Sequence, residues 1–354
     1  MPCIAGIATT VPRFCYGQSE ARDFARHMFS ESSLNVDRLL PIFLNTAIAQ
    51  RHFCMPAEWY RTDHSFHDKN RLYLEHALAL SEKVMRALCE EQRLAPEEID
   101  HLFFVSTTGL ATPSLDAHLF NRLKMKPALR RTPIWGLGCA GGISGLARAA
   151  DWLKAYPAKK AVVIALELCS LTFIRNDLSK GNFVATSLFA DGAAAALLVG
   201  DHCAPTHARG FELLASEAIT WPDSLDVMGW EIAAPGLKVL FSRDIPTIVL
   251  ESARPSILNF LAEQKIALND VAMFLSHPGG AKVIAAYCEA LALPEVKTKY
   301  MWNVLRNYGN MSSATVLFVL EEYLRSADYR RGDLVLSTTL GPGFSSEMIL
   351  GKCR

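Results

Sequence analysis

The chain has 354 residues, with 36 Lys+Arg balanced by 36 Asp+Glu and 50% apolar residues. A formal net charge of zero removes the global basic field that nucleic acid or an anionic membrane surface would need. The apolar content removes the disordered class and supplies a large core, in two ordinary domains or one duplicated one.

From Met1 to Ala8 the sequence has no basic segment and reads as a first strand, not a secretory leader. Helices are predicted over 68–94, 112–124, 140–156, 246–264, 278–291 and 312–326. Strands are predicted at Leu102–Ser106, Ala161–Leu168, Ala193–Val199, Ala272–Ser276, Leu334–Thr338 and Ser346–Leu350. Several of these strands are continuously apolar, as strands buried on both faces are, and their alternation with helices predicts a layered α/β architecture. The stretch from His202 to Ile245 holds Pro205, Trp221-Pro222-Asp223 and Pro235-Gly236 and has no sustained period. It reads as a connection into a second half, then a loop-rich β region.

The best apolar run, Ala193 to Val199, falls far short of the ~20 residues that a spanning helix needs. Nine cysteines, none in a CxxC pair, indicate neither a zinc site nor a disulfide framework. A soluble, cytoplasmic protein with no integral membrane association is expected.

Cys139 stands apart from the other cysteines, in Trp135-Gly136-Leu137-Gly138-Cys139-Ala140-Gly141-Gly142. Beyond it, Ile143, Leu146, Ala147, Ala150 and Leu153 mark one face of a helix. The flanking glycines allow a tight turn, and a helix start favours thiolate over thiol, so Cys139 reads as a nucleophile and not as a buried small hydrophobe. A thiolate nucleophile needs a histidine. His277 follows an apolar strand and precedes Pro278-Gly279-Gly280, the strand-end position where α/β folds expose chemistry. His64, His67, His202 and His207 sit in polar or irregular stretches and read as surface or structural residues. Asn310, in Gly309-Asn310-Met311-Ser312-Ser313, precedes an apolar helix. It reads either as a helix N-cap or as an amide that donates to a developing oxyanion.

With these motifs, Leu188-Phe189-Ala190-Asp191-Gly192 and Gly341-Pro342-Gly343-Phe344, the chain resembles the type III polyketide synthases, the chalcone-synthase-like branch of the thiolase superfamily. The motifs occur in the family's order and span essentially the whole chain. The resemblance implies an α/β thiolase fold in five layers, built of two pseudo-duplicated αβαβα halves at 1–204 and 205–354, and a homodimer. It implies an acyltransferase that loads an acyl-CoA starter on Cys139. His277 and Asn310 would then stabilise the enolate formed from malonyl-CoA, with no metal or redox cofactor.

The resemblance further implies that Phe189 is the gatekeeper aromatic between a coenzyme A tunnel and the reaction cavity. Val239 takes the second gatekeeper position, and Cys169, in Glu167-Leu168-Cys169-Ser170, is similar to bacterial members that use long fatty acyl starters. Thr107 and Ser312 join the substrate-binding positions, and Gly341, Pro342 and Gly343 shape the cyclisation pocket. Thr112 takes the position that crosses the dimer interface, and Trp230 falls near a cavity position usually held by glycine. Arg38 and Arg51 partly match the family's basic cluster for the coenzyme A phosphates, Asn45 replaces one lysine, and Lys282 is a substitute. The sequence is most similar to bacterial alkylpyrone and alkylresorcinol synthases, so a long-chain starter and a pyrone product are expected. The rival readings are a single-step ketoacyl synthase that uses an acyl carrier protein, a Cys-His-Asn thioester hydrolase, and a non-catalytic acyl-CoA-binding relative.

Overall fold

The computed structural model of the chain describes residues 1–203, 209–241 and 245–354. Its strands are β1 (Cys3–Thr10), β2 (Phe14–Gly17), β3 (Gln50–Phe53), β4 (His101–Val105), β5 (Arg130–Ile134), β6 (Lys160–Leu168) and β7 (Asp191–Val199). There follow β8 (Phe211–Thr220), β9 (Met228–Ala233), β10 (Gly236–Phe241), β11 (Val271–Phe274), β12 (Leu334–Gly341) and β13 (Ser345–Cys353). Nine of them form one sheet in the order β11-β12-β13-β8-β1-β7-β6-β4-β5.

That order contains the same pattern twice. Outward from β1 run β7 (antiparallel), β6 (antiparallel) and β4 (parallel). Outward from β8 run β13, β12 and β11 with the same sequence of senses. The two sets meet where Cys3 and Ile4 of β1 pair with Glu212 and Phe211 of β8. The inferred boundary between residues 204 and 205, with Pro205 and His207, lies outside the described residues.

Two helices, Gly141–Ala155 and Thr315–Arg325, are buried on nearly every side, including Ile143, Leu146, Val316, Leu317 and Val319. They form the middle layer. A Cβ on Gly142 would lie 2.3 Å from the Ser313 carbonyl oxygen, so this glycine lets the starts of the two helices touch. The long helix Phe66–Gln92 covers the outer face of the first strand set with Leu80, Val84 and Leu88. Ile257, Phe260, Ile284 and Tyr287, from the helices Arg254–Glu263 and Ala281–Ala290, pack in the same core as Phe274 of the second set. The layers therefore run α, β, α, β, α.

All six predicted strands occur within a few residues of their expected bounds. The stretch expected to be irregular from 202 differs: β8 is a central strand that pairs with β13 from Phe211 to Thr220. Its Glu-, Ala- and Leu-rich sequence has little strand propensity, and the ladder overrides it. The helix expected over 246–264 is broken by a π-helical turn at Val249–Ala253, next to Pro255, which cannot donate a helical hydrogen bond.

Candidate active site

The two middle-layer helices begin at the same place, and each is entered through a short 3₁₀ turn. Gly138–Ala140 leads into Gly141–Ala155, and Ser312–Ala314 leads into Thr315–Arg325. Cys139 lies in the first turn, and its Sγ–H donates to the Ser312 hydroxyl in the second at 3.5 Å. The Ser312 N–H donates to Asn310 Oδ1 at 2.8 Å, and Asn310 Nδ2 donates to the Gly279 carbonyl at 3.0 Å. Gly279 N–H in turn donates to the His277 carbonyl at 3.1 Å. One run of contacts thus links Cys139, Ser312, Asn310 and His277, three loops brought together from distant parts of the chain.

His277 follows β11, where its N–H donates to the Thr338 carbonyl of β12. Both ring nitrogens are buried without a partner. A buried imidazole normally spends at least one of them, so this ring is unusual in holding both unspent. Burial lowers the His277 pKa to about 4. Part of the Cys139 surface is open, yet protein surrounds it, and desolvation pushes the thiol up to about 12. The Ser312 hydrogen bond opposes that rise and the charge of Glu167 adds to it. The expected thiolate preference is therefore corrected. Desolvation opposes the thiolate that the helix start favours, and it also favours the neutral imidazole of His277.

Glu167, at the end of β6, was quoted in the sequence only as context for Cys169. The structure makes it a hub. Its Oε2 accepts from Thr107 N–H at 2.9 Å, Thr108 N–H at 3.1 Å and the Thr108 hydroxyl at 2.9 Å, and Oε1 accepts from the Ser313 hydroxyl at 2.6 Å. Thr107 passes the link to the Cys139 loop, since Gly138 N–H donates to its Oγ1 at 3.1 Å. The available signal was a carboxylate inside the apolar run of β6, which a buried strand holds only when its oxygens are paired.

The expected pocket residues fall into two groups. Thr107, Ser312, Gly341 and Pro342 lie on the Cys139 side: a Cβ on Gly341 would meet the Leu137 oxygen at 2.5 Å, and one on Gly138 would meet Pro342 at 2.7 Å. Gly343, at φ 75°, turns the same loop. Cys169, Phe189 and Val239 instead line a cavity of 460 Å³, together with Phe53, Tyr60, Phe173 and Trp230. Phe189 lines the cavity and also touches the Asn310 loop. Its backbone bridges to Asn310, and its ring packs against Trp230 at 5.8 Å and Phe241 at 5.9 Å. Trp230 does face this cavity, opposite Val239 in the β9–β10 hairpin. Phe241, paired with Met228 in the same hairpin, was missed because nothing in its local sequence places it against Phe189.

Arg51 is not available to a phosphate at the surface. It is 1% exposed, and its Nη1 donates to the carbonyls of Thr186 and Phe189, both at 2.8 Å, at the end of the helix Lys180–Leu188. Arg38, Asn45 and Lys282 are exposed, as is Thr112. Among the described residues no cluster of His, Cys, Asp and Glu could hold a metal ion, and no helix is long and apolar enough to cross a membrane.

A thiol, an imidazole and an amide brought together across two duplicated strand sets agree with what the chain matches. The family model of chalcone and stilbene synthases, N-terminal domain, matches residues 3–202, and that of 3-oxoacyl-[acyl-carrier-protein] synthase III, C terminal, matches residues 261–352. This chain belongs to the type III polyketide synthase family. A Bacillus subtilis (strain 168) protein described as a candidate chalcone synthase is 43% identical, covering 99% of this synthase and 98% of itself. A 1,3,6,8-tetrahydroxynaphthalene synthase of Streptomyces peucetius is 35% identical, covering 98% and 92%. The solved 1,3,6,8-tetrahydroxynaphthalene synthase of Streptomyces coelicolor A3(2), a bacterial type III polyketide synthase, superposes with a TM-score of 0.94 at 27% identity, covering 99% of each chain. The synthase therefore has the thiolase fold and is an acyltransferase.

Proposed function

We propose that this synthase loads a long-chain acyl group from acyl-CoA onto Cys139, extends it with malonyl-CoA and releases an alkylpyrone-type product. The observation that carries the long-chain reading is the cavity behind Phe189. Its volume of 460 Å³ lies in the range of small-molecule pockets, and aromatic and aliphatic side chains dominate its wall. An alpha-pyrone synthesis polyketide synthase-like protein of Mycobacterium tuberculosis, 26% identical over 98% of this chain, favours the pyrone among ring types.

In the proposed cycle His277 Nε2 takes the Cys139 proton as Sγ attacks the thioester carbonyl, and returns it to the departing coenzyme A thiolate. Carbon dioxide then leaves malonyl-CoA. The enolate oxygen receives hydrogen bonds from the His277 ring and the Asn310 amide, whose Nδ2 has a second N–H beyond that given to Gly279. The carbanion attacks the Cys139 acyl carbonyl, Sγ departs, and the lengthened β-keto thioester returns to Cys139 for the next round. Thr107, Ser312 and the Gly341-Pro342-Gly343 loop would shape the space in which the ring closes.

A homodimer is part of the same reading. β5 ends the sheet and has no partner on its outer side among the described residues, and Trp135 (49% exposed) and Leu110 (38% exposed) lie beside it. Pairing of β5 with its own copy would cover this edge and bring Thr112 toward the neighbouring site. The C-terminal match to a carrier-protein-dependent synthase keeps single condensation as the second reading.

The deciding experiment supplies purified synthase with malonyl-CoA and acyl-CoA starters from short to long, with products read by mass spectrometry. Alkylpyrone masses that rise with the starter, and vanish in Cys139→Ala, support the proposal. Free acid alone indicates a hydrolase, and activity only with acyl carrier protein indicates the single-step enzyme.

A further inference from the structure

The loop packed on the Cys139 turn is the tip of a hairpin. β12 ends at Gly341, β13 begins at Ser345, and these two residues pair across the turn Pro342-Gly343-Phe344. Gly341 and Pro342 bear on the Cys139 loop: a Cβ on Gly341 would lie 2.6 Å from Ala140 Cβ, and one on Gly138 would meet Pro342. The far end of the turn carries a residue that is hard to hold. Phe344 has a φ of 30° and is 2% exposed. A bulky side chain at positive φ is costly and persists only where its neighbours over-determine it.

Those neighbours are Trp221-Pro222-Asp223-Ser224, the segment that follows β8. β8 pairs with β13 as far as Thr220 opposite Ser345, and Trp221 N–H extends the ladder by donating to the Phe344 carbonyl at 3.1 Å. The half-buried Trp221 ring packs on the Phe344 ring, with centroids 5.0 Å apart and planes at 33°. The chain then turns at Asp223, φ 54°, and brings the buried Ser224 back to the tip. The Ser224 hydroxyl donates to the Trp221 carbonyl at 2.6 Å, with the Gly343 carbonyl at 3.4 Å as a second acceptor. A backbone bond, a ring pair and a hydroxyl thus grip residues 343 and 344, while residues 341 and 342 press on the Cys139 loop.

We propose that Trp221 is a positioning residue that acts through Phe344 to hold the Gly341-Pro342-Gly343 loop against the Cys139 loop, and that this grip limits how many malonyl-CoA extensions precede release. The inference rests on the reading above in which that loop shapes the space for ring closure. Without the Trp221 ring, the strained backbone at Phe344 relaxes by moving, and the movement passes to Pro342 and Gly341. Gly341 already stands too close to Leu137 and Ala140 to approach further, so the movement is away from them. Space opens beside Cys139, and the growing chain takes a further unit before it closes.

The test supplies the full-length synthase with malonyl-CoA and one long-chain acyl-CoA. Mass spectrometry reads the ratio of products with one extra malonyl-derived unit to the main product of the parent. Loss of folded protein lowers all products alike and leaves this ratio unmoved. Trp221→Ala should raise it by about threefold or more, the scale of one aromatic pair. Trp221→Phe, which restores a ring, should return it close to the parent's value, and Ser224→Ala should raise it less than Trp221→Ala does. A Trp221→Ala ratio equal to the parent's overturns the inference, as does a shift toward shorter products or a Trp221→Phe ratio that matches Trp221→Ala. A folded Trp221→Ala synthase that makes no product overturns it too. Where Trp221→Ala does not fold, Ser224→Ala decides by the same ratio. A parent that makes no polyketide from any starter overturns the reading of the loop and this inference together, whereas an unmoved ratio leaves that reading standing.

Discussion

The Cys139 thiol donates to the Ser312 hydroxyl at 3.5 Å, and Ser312 holds a left-handed backbone at φ 49°. Left-handed backbone is costly for a serine and persists where surroundings over-determine it. Here the Ser312 N–H is tied to Asn310 Oδ1, so one strained residue joins the thiol of the first half to the amide of the second.

That arrangement separates two substitutions. Ser312→Ala removes the hydroxyl and keeps the strain, whereas Ser312→Gly removes both. The glycine variant should be the more stable of the two by about 1 kcal/mol, read from urea unfolding midpoints. Both should react more slowly than the parent with iodoacetamide, because the lost hydrogen bond is one that lowers the Cys139 pKa. Equal midpoints would show that the turn relaxes without cost.

The resting protonation of the pair has its own signature. With the thiol near 12 and His277 near 4, neither group titrates between those values. Alkylation of Cys139 by a neutral reagent follows the thiolate fraction, so its rate should climb about tenfold per unit from about pH 6 to about pH 9. Loss of acyl-transfer activity on alkylation reports the rate, with Cys139→Ala as the blank for the other cysteines. A plateau below about pH 8 would mean that the free synthase already holds a thiolate–imidazolium ion pair.

Two glycines of one loop should respond unequally. A Cβ on Gly341 would lie 2.5 Å from the Leu137 oxygen and 2.6 Å from Ala140 Cβ, so Gly341→Ala must displace the backbone beside Cys139. Gly343 has nothing within 4 Å of its would-be Cβ and only its φ of 75° to lose. Gly343→Ala should therefore cost about 1 kcal/mol of stability, and Gly341→Ala more, with acyl transfer nearly abolished. Thermal midpoints and product yields check the pair. Similar loss in both would indicate that the loop moves as a unit.

Much of this was legible in the chain. The apolar runs of β6, β7 and β12 fixed their own strands, and the Gly-Cys, His-Pro-Gly-Gly and Gly-Asn-Met-Ser motifs marked all three loops that the structure joins. β8 was hidden because ladder partners more than a hundred residues away determine it. Arg51 was read as part of a basic cluster for the coenzyme A phosphates because one arginine looks like another until the carbonyls of Thr186 and Phe189 are placed around it. The role of Glu167 was invisible for the same reason: its four donors come from Thr107, Thr108 and Ser313, in two separate segments.

Glu167 supports the last prediction. Burial raises its pKa from 4.5 to about 7, against the hydrogen bonds that lower it. Between those values the folded chain binds more protons at this site than the unfolded chain, so its contribution to stability falls as pH rises through that window, by on the order of 3 kcal/mol in all. His277 acts in the opposite sense: lowered from 6.5 to about 4, its contribution rises with pH over an overlapping window, and the total curve of the parent hides both. Glu167→Gln isolates the carboxylate. Its amide oxygen can accept from Thr107 and Thr108 while its NH₂ donates to Ser313, so the variant should fold. Relative to the parent it should gain stability steadily from about pH 4.5 to about pH 7 in denaturant titrations, and remain parallel above that. A constant difference across the range would mean that the four hydrogen bonds keep Glu167 ionised throughout, and that the hub is anionic at every working pH.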